Sequence, residues 1–153
     1  MKLLALDVGE RRVGVAVSDP SGLIAAPLTV MQRRSKAEDF ARVAHFLREQ
    51  EAGGLVIGHP LNADGSAGPQ AARVERYAAA LSEALGRAGL SVPVVLWDEY
   101  GSTQRAQSLM ISAGRSPAVR RQRLDAAAAA VILQDYLDEQ RESILGPGAG
   151  SQS

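Results

Sequence analysis

The chain opens on an unbroken apolar run, Leu3 to Leu6, which reads as a buried strand. Val13 to Val17 alternates valine with glycine and alanine, and predicts a second strand paired with the first through a turn at Gly9–Arg12. Leu23 to Met31 predicts a third, with Pro27 pushing it toward a bulge or an edge. The period then lengthens. Ser35 and Glu38 have the spacing of a capping box, and Phe40, Val43, Ala44 and Leu47 recur at helical intervals. They predict an amphipathic helix from Ser35 to about Gln50, ended by Gly53-Gly54. Leu55 to Gly58 reads as a short buried strand, and His59 to Gly68 as a polar loop. Pro69 suits the first turn of a helix with Val74, Tyr77, Ala78, Leu81 and Leu85 on its apolar face and Gly89 as its stop. Val94 to Trp97 predicts another buried strand, which makes Trp97 core. Ser102 or Thr103 can cap a helix that ends at Gly114. A basic loop follows, then a last helix from about Leu124 to Gln140.

The resulting order, β-β-β-α-β-α-β-α-α, predicts an α/β fold. Its core is a mixed five-stranded sheet: an antiparallel meander of three strands, then βαβ units, flanked by helices. The crossovers should be right-handed. Residues 1–145 form one expected domain, and the Gly/Ser/Pro-rich residues 146–153 a disordered tail. With 153 residues the chain can bury roughly 70% of its unfolded surface and build its own core.

Composition narrows the chemistry. There is no cysteine, which excludes disulfides, thiolate metal sites and a cysteine nucleophile. No apolar stretch approaches the length of a membrane span and no signal-peptide pattern opens the chain, so the expectation is a cytoplasmic protein without a membrane partner. The 17 Lys and Arg balance the 17 Asp and Glu. That balance weighs against a nucleic-acid binder, but the distribution does not. Every charged residue from Gly101 to Leu124 is an arginine: Arg105, Arg115, Arg120, Arg121 and Arg123.

Three acidic positions occur where apolar context predicts otherwise. Asp7 ends the first strand, Asp98-Glu99 ends "VPVVLW", and Asp125 precedes five alanines in "RLDAAAAAVILQDYL". Alanine lets a helix lie close to a sheet, which would bring Asp125 toward the strand ends. Converging carboxylates repel unless one takes a proton or all share a cation. A hard cation, Mg²⁺ or Mn²⁺, fits oxygen ligands, and the lack of cysteine and scarcity of histidine disfavour zinc. Two such ions roughly 3.5–4 Å apart activate a water and stabilise the leaving oxygen of a phosphodiester. Each acid also has a structural role open to it: Asp7 as a turn cap, Asp98 and Glu99 as partners of the arginines, Asp125 at a helix start. Only one of Asp98 and Glu99 need point inward, since neighbouring strand residues face opposite sides. Asp98 is the reserve ligand.

The loop "GHPLNADGSAG" holds the turn formers Asn62, Asp64 and Gly65 ahead of a helix start that could receive a phosphate. It is not a Walker sequence. His59 lies beside the expected site and could aid proton transfer; His45 reads as surface.

"LALDVGERRVGVAVSD", "GHPLNADGSAGPQA", "WDEYGSTQRA" and "RLDAAAAAVILQDYL", in that order, resemble the YqgF/RuvX family of Holliday-junction resolvase-like proteins in the ribonuclease H-like superfamily. The resemblance runs from Lys2 to about Asp138. It implies a ribonuclease H-like fold and a metal-dependent nuclease that processes the 5′ end of pre-16S ribosomal RNA, or one that resolves branched DNA. By motif, Asp7, Glu99 and Asp125 correspond to the family's catalytic acids, and Asn62 and Asp64 to its "PLN-x-DG"-like loop. Three departures stand out. His59 occupies a usually apolar position, Tyr100-Gly101 replaces an Arg-Leu-like pair, and Arg121 and Arg123 stand near where a lysine is usual.

The expectation is therefore a nuclease with Asp7, Glu99 and Asp125 as catalytic and metal-binding acids and Mg²⁺ or Mn²⁺ as cofactor. Asn62, Asp64, Arg105, Arg115, Arg120, Arg121 and Arg123 would contact nucleic acid, and the protein would act as a monomer or homodimer. The alternatives are a junction resolvase and a non-catalytic ribosome-assembly factor that binds nucleic acid. An actin-like ATP-binding fold also opens on an Asp and a Val-rich strand, but needs a second similar domain for which 153 residues leave no room.

Overall fold

The alternating opening segment becomes three antiparallel strands, β1 (Leu3–Val8), β2 (Arg12–Ser18) and β3 (Ala25–Gln32), in the computed structural model. The model describes residues 1–98 and 117–145, with backbone alone over 117–125 and 142–145. The β1–β2 turn is tight: the Gly9 amide donates to the Arg12 carbonyl at 2.8 Å. A Cβ on Gly9 would stand 2.9 Å from that same oxygen, which explains the glycine. The β2–β3 ladder slips between Val15 and Ala16, opposite Pro27, and β3 is an edge strand, as its proline demands. It begins at Ala25 rather than Leu23. The amides of Leu23 and Ile24 turn to the Asp19 carboxylate, at 2.9 and 2.8 Å, and their side chains are exposed.

Helix α1 (Lys36–Glu49) is capped by Ser35, whose hydroxyl accepts from the Glu38 amide. It buries Phe40, Val43, Ala44 and Leu47 as its spacing predicts. The helix closes at Gln50, before the glycine pair; Gly54 already belongs to β4 (Gly54–His59), which is buried along its length and runs parallel to β1. Helix α2 (Pro69–Arg87) starts on its proline, and β5 (Val94–Asp98) runs parallel to β4. The strand order is β3-β2-β1-β4-β5.

Two expectations need correction here. β5 is half-buried rather than buried, because among the described residues it is an edge strand with one neighbour. Trp97 is accordingly half-buried, its ring edge-on to Tyr136 at 5.3 Å. The last helix, α3 (Pro117–Leu145), starts seven residues before Leu124, so Arg120, Arg121 and Arg123 lie on a helix and not in a loop. Pro117 suits a first helical position, and no glycine or further proline interrupts the sequence before Gly146. The expected helix ending at Gly114 and the expected tail 146–153 lie outside the described residues.

Each face of the sheet has its own core. Leu4, Leu6, Val13, Val15, Leu55 and Ile57 pack under α1 and α2. Leu3, Ala5, Ala16 and Val56 pack under Ala129, Ile132, Leu133 and Leu137 of α3. Burying a side chain such as Leu4 completely contributes roughly 1.5–3 kcal/mol. Gln134 ties α3 to the start of β3: its Oε1 accepts from the Ala25 amide and its Nε2 donates to the Leu23 carbonyl, both at 2.9 Å. No helix among the described residues is long and apolar enough to cross a membrane.

Candidate active site

Alternation along β1 sends Leu4, Leu6 and Val8 to the α1/α2 core and Leu3 and Ala5 to the α3 core. Asp7 therefore lies on the α3 face, half-buried at the carboxyl end of the central strand. Its cross-strand partner on β2 is Gly14. On the other side Leu6 pairs with Ile57, so the parallel register places Gly58 beside Asp7. Asp7 is thus flanked in the sheet by two residues without side chains. Those glycines are the positions that reading the residues singly overlooked, although the Val13-Gly14 pair was a visible break in an otherwise valine-rich strand.

Position 125 lies on α3, four residues before Ala129. Ala129 is fully buried against the core that contains Ala5, Ala16 and Val56. One helical turn thus separates position 125 from the point where α3 meets the sheet, on the face that carries Asp7. Glu99 lies outside the described residues, as do Arg105 and Arg115. Asp98 is exposed and follows Leu96, which packs toward the α1/α2 core; alternation places it on the face opposite Asp7. Among the described residues no three acidic or histidine side chains form a cluster, and of the three expected acids only Asp7 has a described side chain.

His59 is not beside the Asp7 carboxylate. It follows Ile57 on the α1/α2 face, where its Nε2 lies 2.7 Å from Oε2 of Glu75 on α2. His45 is exposed near Glu49. Asn62 and Asp64 shape the loop that holds them. Asp64 Oδ1 accepts from the Ser66 amide at 2.9 Å and its hydroxyl at 2.6 Å, and Asn62 Nδ2 donates to the same hydroxyl at 3.0 Å. The Ser66 hydroxyl and amide hold the Asp64 carboxyl below its ordinary range.

A carboxylate at a strand end, in a chain with no cysteine, is chemistry that suits a hard divalent cation better than a soft one. A mixed sheet with a helical pair on one face and a long helix on the other, in the strand order β3-β2-β1-β4-β5, is the ribonuclease H-like fold. Solved structures with this fold include RuvC of Thermus thermophilus in complex with a Holliday junction substrate, at a TM-score of 0.57 and 18% identity over 92% of this chain and 96% of that one. The Holliday junction resolvase of fowlpox virus superposes with a TM-score of 0.52 and 12% identity, covering 91% and 99%.

The family model for RuvX, described as a Holliday junction resolvase, matches residues 1–139, and the chain belongs to this family. A relative from Thermoanaerobacter pseudethanolicus, named "Putative pre-16S rRNA nuclease", is 42% identical over 142 residues, 92% of this chain and 99% of its own. One of the same name from an Anaeromyxobacter species is 47% identical over 138 residues, 90% and 97%.

Proposed function

We propose that this chain is a divalent-cation-dependent nuclease that processes the 5′ end of pre-16S ribosomal RNA in the cytoplasm. The observation that carries the reading is Asp7, at the end of the central strand between Gly14 and Gly58, on the face covered by the helix that contains Asp125. The relatives' shared name over nearly the full chain supports the substrate.

Asp7, Glu99 and Asp125 would hold Mg²⁺ or Mn²⁺; Asp98, on the other face, is the weaker candidate. When bound, such cations supply an activated water and neutralise charge on the phosphodiester. The residues do the rest. Gly14 and Gly58 add no side chains beside the Asp7 carboxylate, which would let a backbone phosphate come close to it. Arg120, Arg121 and Arg123, on the first turns of α3, provide positive charge near position 125, with Arg105 and Arg115 on the preceding segment. Asn62 and Asp64 keep the β4–α2 loop in the shape that borders the strand ends.

Asp7→Asn tests the assignment. Cleavage of a precursor-RNA fragment with Mg²⁺ or Mn²⁺ should fall by more than the roughly 10–100-fold typical of residues outside the ligand shell, while the melting temperature stays near wild type. Equal cleavage by the two proteins would remove Asp7 from the site, and no cleavage by either would favour a non-catalytic assembly factor. The family description favours one second reading, resolution of four-way DNA junctions. Symmetric cutting of a junction calls for a two-fold dimer, and the RNA reading is satisfied by a monomer. Side-by-side assays on single-stranded RNA, duplex and four-way junction, with sedimentation of the active species, separate the two.

A further inference from the structure

The face of the sheet opposite Asp7 carries a cavity of about 230 Å³. It lies between the turn after β1, the segment joining β3 to α1, and the first turns of α2. Its charge is one-sided: Arg33, Lys36, Arg73 and Arg76 line it against Glu10. Lys36, Arg73 and Arg76 form no ion pair among the described residues. Arg33 is held in place, its Nη1 donating to the Gly9 carbonyl at 2.8 Å and its guanidinium 5.3 Å from the centre of the Tyr77 ring.

Tyr77 supplies an independent observation. Phe40 packs edge-on against its ring at 5.2 Å, and the residue is 4% exposed. Its hydroxyl is buried with no hydrogen-bond partner among the described residues, yet the residue lines the cavity. A buried hydroxyl left unpaired is destabilising, so a ligand oxygen there would satisfy a standing deficit. Burial pushes the Tyr77 pKa up to about 12, so the group keeps its proton and donates at neutral pH. The first turn of α2 contains no acid, and its cap, Gly68, offers no side chain to the helix amides. The positive end of that helix is therefore uncompensated beside the cavity.

We propose that this cavity is a second, phosphate-binding site that holds a phosphate monoester, with Arg33, Arg73 and Arg76 on its oxygens and the Tyr77 hydroxyl donating to one of them. A monoester offers three oxygens and up to two charges to such a cluster; an internal phosphodiester offers two oxygens and one charge. The cavity is smaller than the roughly 300–1,000 Å³ of sites that enclose whole ligands, so it takes the phosphate and adjoining sugar with the base outside. The phosphate belongs either to the end of a nucleic-acid chain or to a free mononucleotide. The site lies across the sheet from Asp7 and does not depend on cleavage.

Binding is measured in EDTA, so that a failure of the Asp7 assignment leaves the result unaffected. A 3′-labelled oligonucleotide bearing a 5′-phosphate is compared with its 5′-hydroxyl counterpart by fluorescence anisotropy, and adenosine monophosphate is compared with adenosine by calorimetry. The phosphorylated end should bind roughly tenfold tighter than the hydroxyl end. Arg73→Ala with Arg76→Ala, both at exposed positions, should erase the difference, and Tyr77→Phe should reduce it while leaving thermal stability equal or higher. Binding of the mononucleotide with the same sensitivity to these variants, and no preference among oligonucleotide ends, supports the site with the free nucleotide as its source. If neither phosphate is preferred, or if the preference survives all three substitutions, the proposal is overturned.

Discussion

Asp7 and Asp19 are both acids that follow strand residues, and their neighbours give them opposite fates. Asp19 is consumed by its own turn. Its carboxylate accepts from the amides of Leu23 and Ile24 and from the Ser21 hydroxyl. The Ser21 bond, followed by the backbone bonds, lowers its pKa to about 2. A carboxyl depressed in the folded state stabilises the turn fully above its ordinary value of 3.8, and that contribution is lost as pH falls through 2. Carboxyl NMR of the native protein should therefore give Asp19 a midpoint near 2; a midpoint near 3.8 would mean the turn is open in solution. Asp7, by contrast, faces Gly14 across the ladder and has Gly58 in the next register position. The type of residue is the same at both positions; Asp19 lies beyond the end of β2 and is engaged by its own turn, whereas Asp7 lies within β1 and pairs across the ladder with Gly14.

At the scale of elements, α3 decides whether the site exists. It reaches the sheet through small residues, Ala129 against Ala5 and Ala16, and Gln134 anchors it to the start of β3. Ala129→Leu should wedge the helix away from β1. Overpacking of this kind costs about 1–3 kcal/mol, measurable by urea denaturation. Because position 125 lies one turn away on the same helix, metal-dependent cleavage should fall by more than the lost fraction of folded protein explains. Gln134 also shows why the third strand starts later than its apolar run: Leu23 gives its carbonyl to Gln134 and its amide to Asp19, leaving nothing for the ladder. Helical and strand periods were legible for every element whose face packs on one side only. The arginine-rich start of α3 was not, because its apolar residues do not repeat at a helical interval.

For the whole molecule, zero net charge conceals segregation. The cavity opposite Asp7 gathers four cations and one acid, and the first turns of α3 carry three arginines. RNA affinity should fall linearly on a log–log plot against salt, and the slope should shrink by about one for each phosphate-contacting arginine removed. Arg120→Ala and Arg123→Ala are the variants to compare with wild type; an unchanged slope would take the start of α3 out of the interface. His59 shows the same dependence on the whole fold. It sits close to Asp7 in strand register but on the other face, held by Glu75, so adjacency in the β4 sequence said nothing about shared chemistry.

The sequence by itself determined the strand order of the meander, the two amphipathic helices and the family, because hydrophobic period and ordered motifs are local properties that survive without coordinates. It also named Asp7 as an anomaly. The tertiary structure alone decided which face Asp7 occupies, that glycines flank it, that His59 and Asp98 lie across the sheet from it, and that Arg33, Arg73, Arg76 and Tyr77 share one cavity. The first three are facts of pleat and register between strands, where a shift of one residue moves a side chain to the other face; the last depends on how α2 packs beside the segment joining β3 to α1.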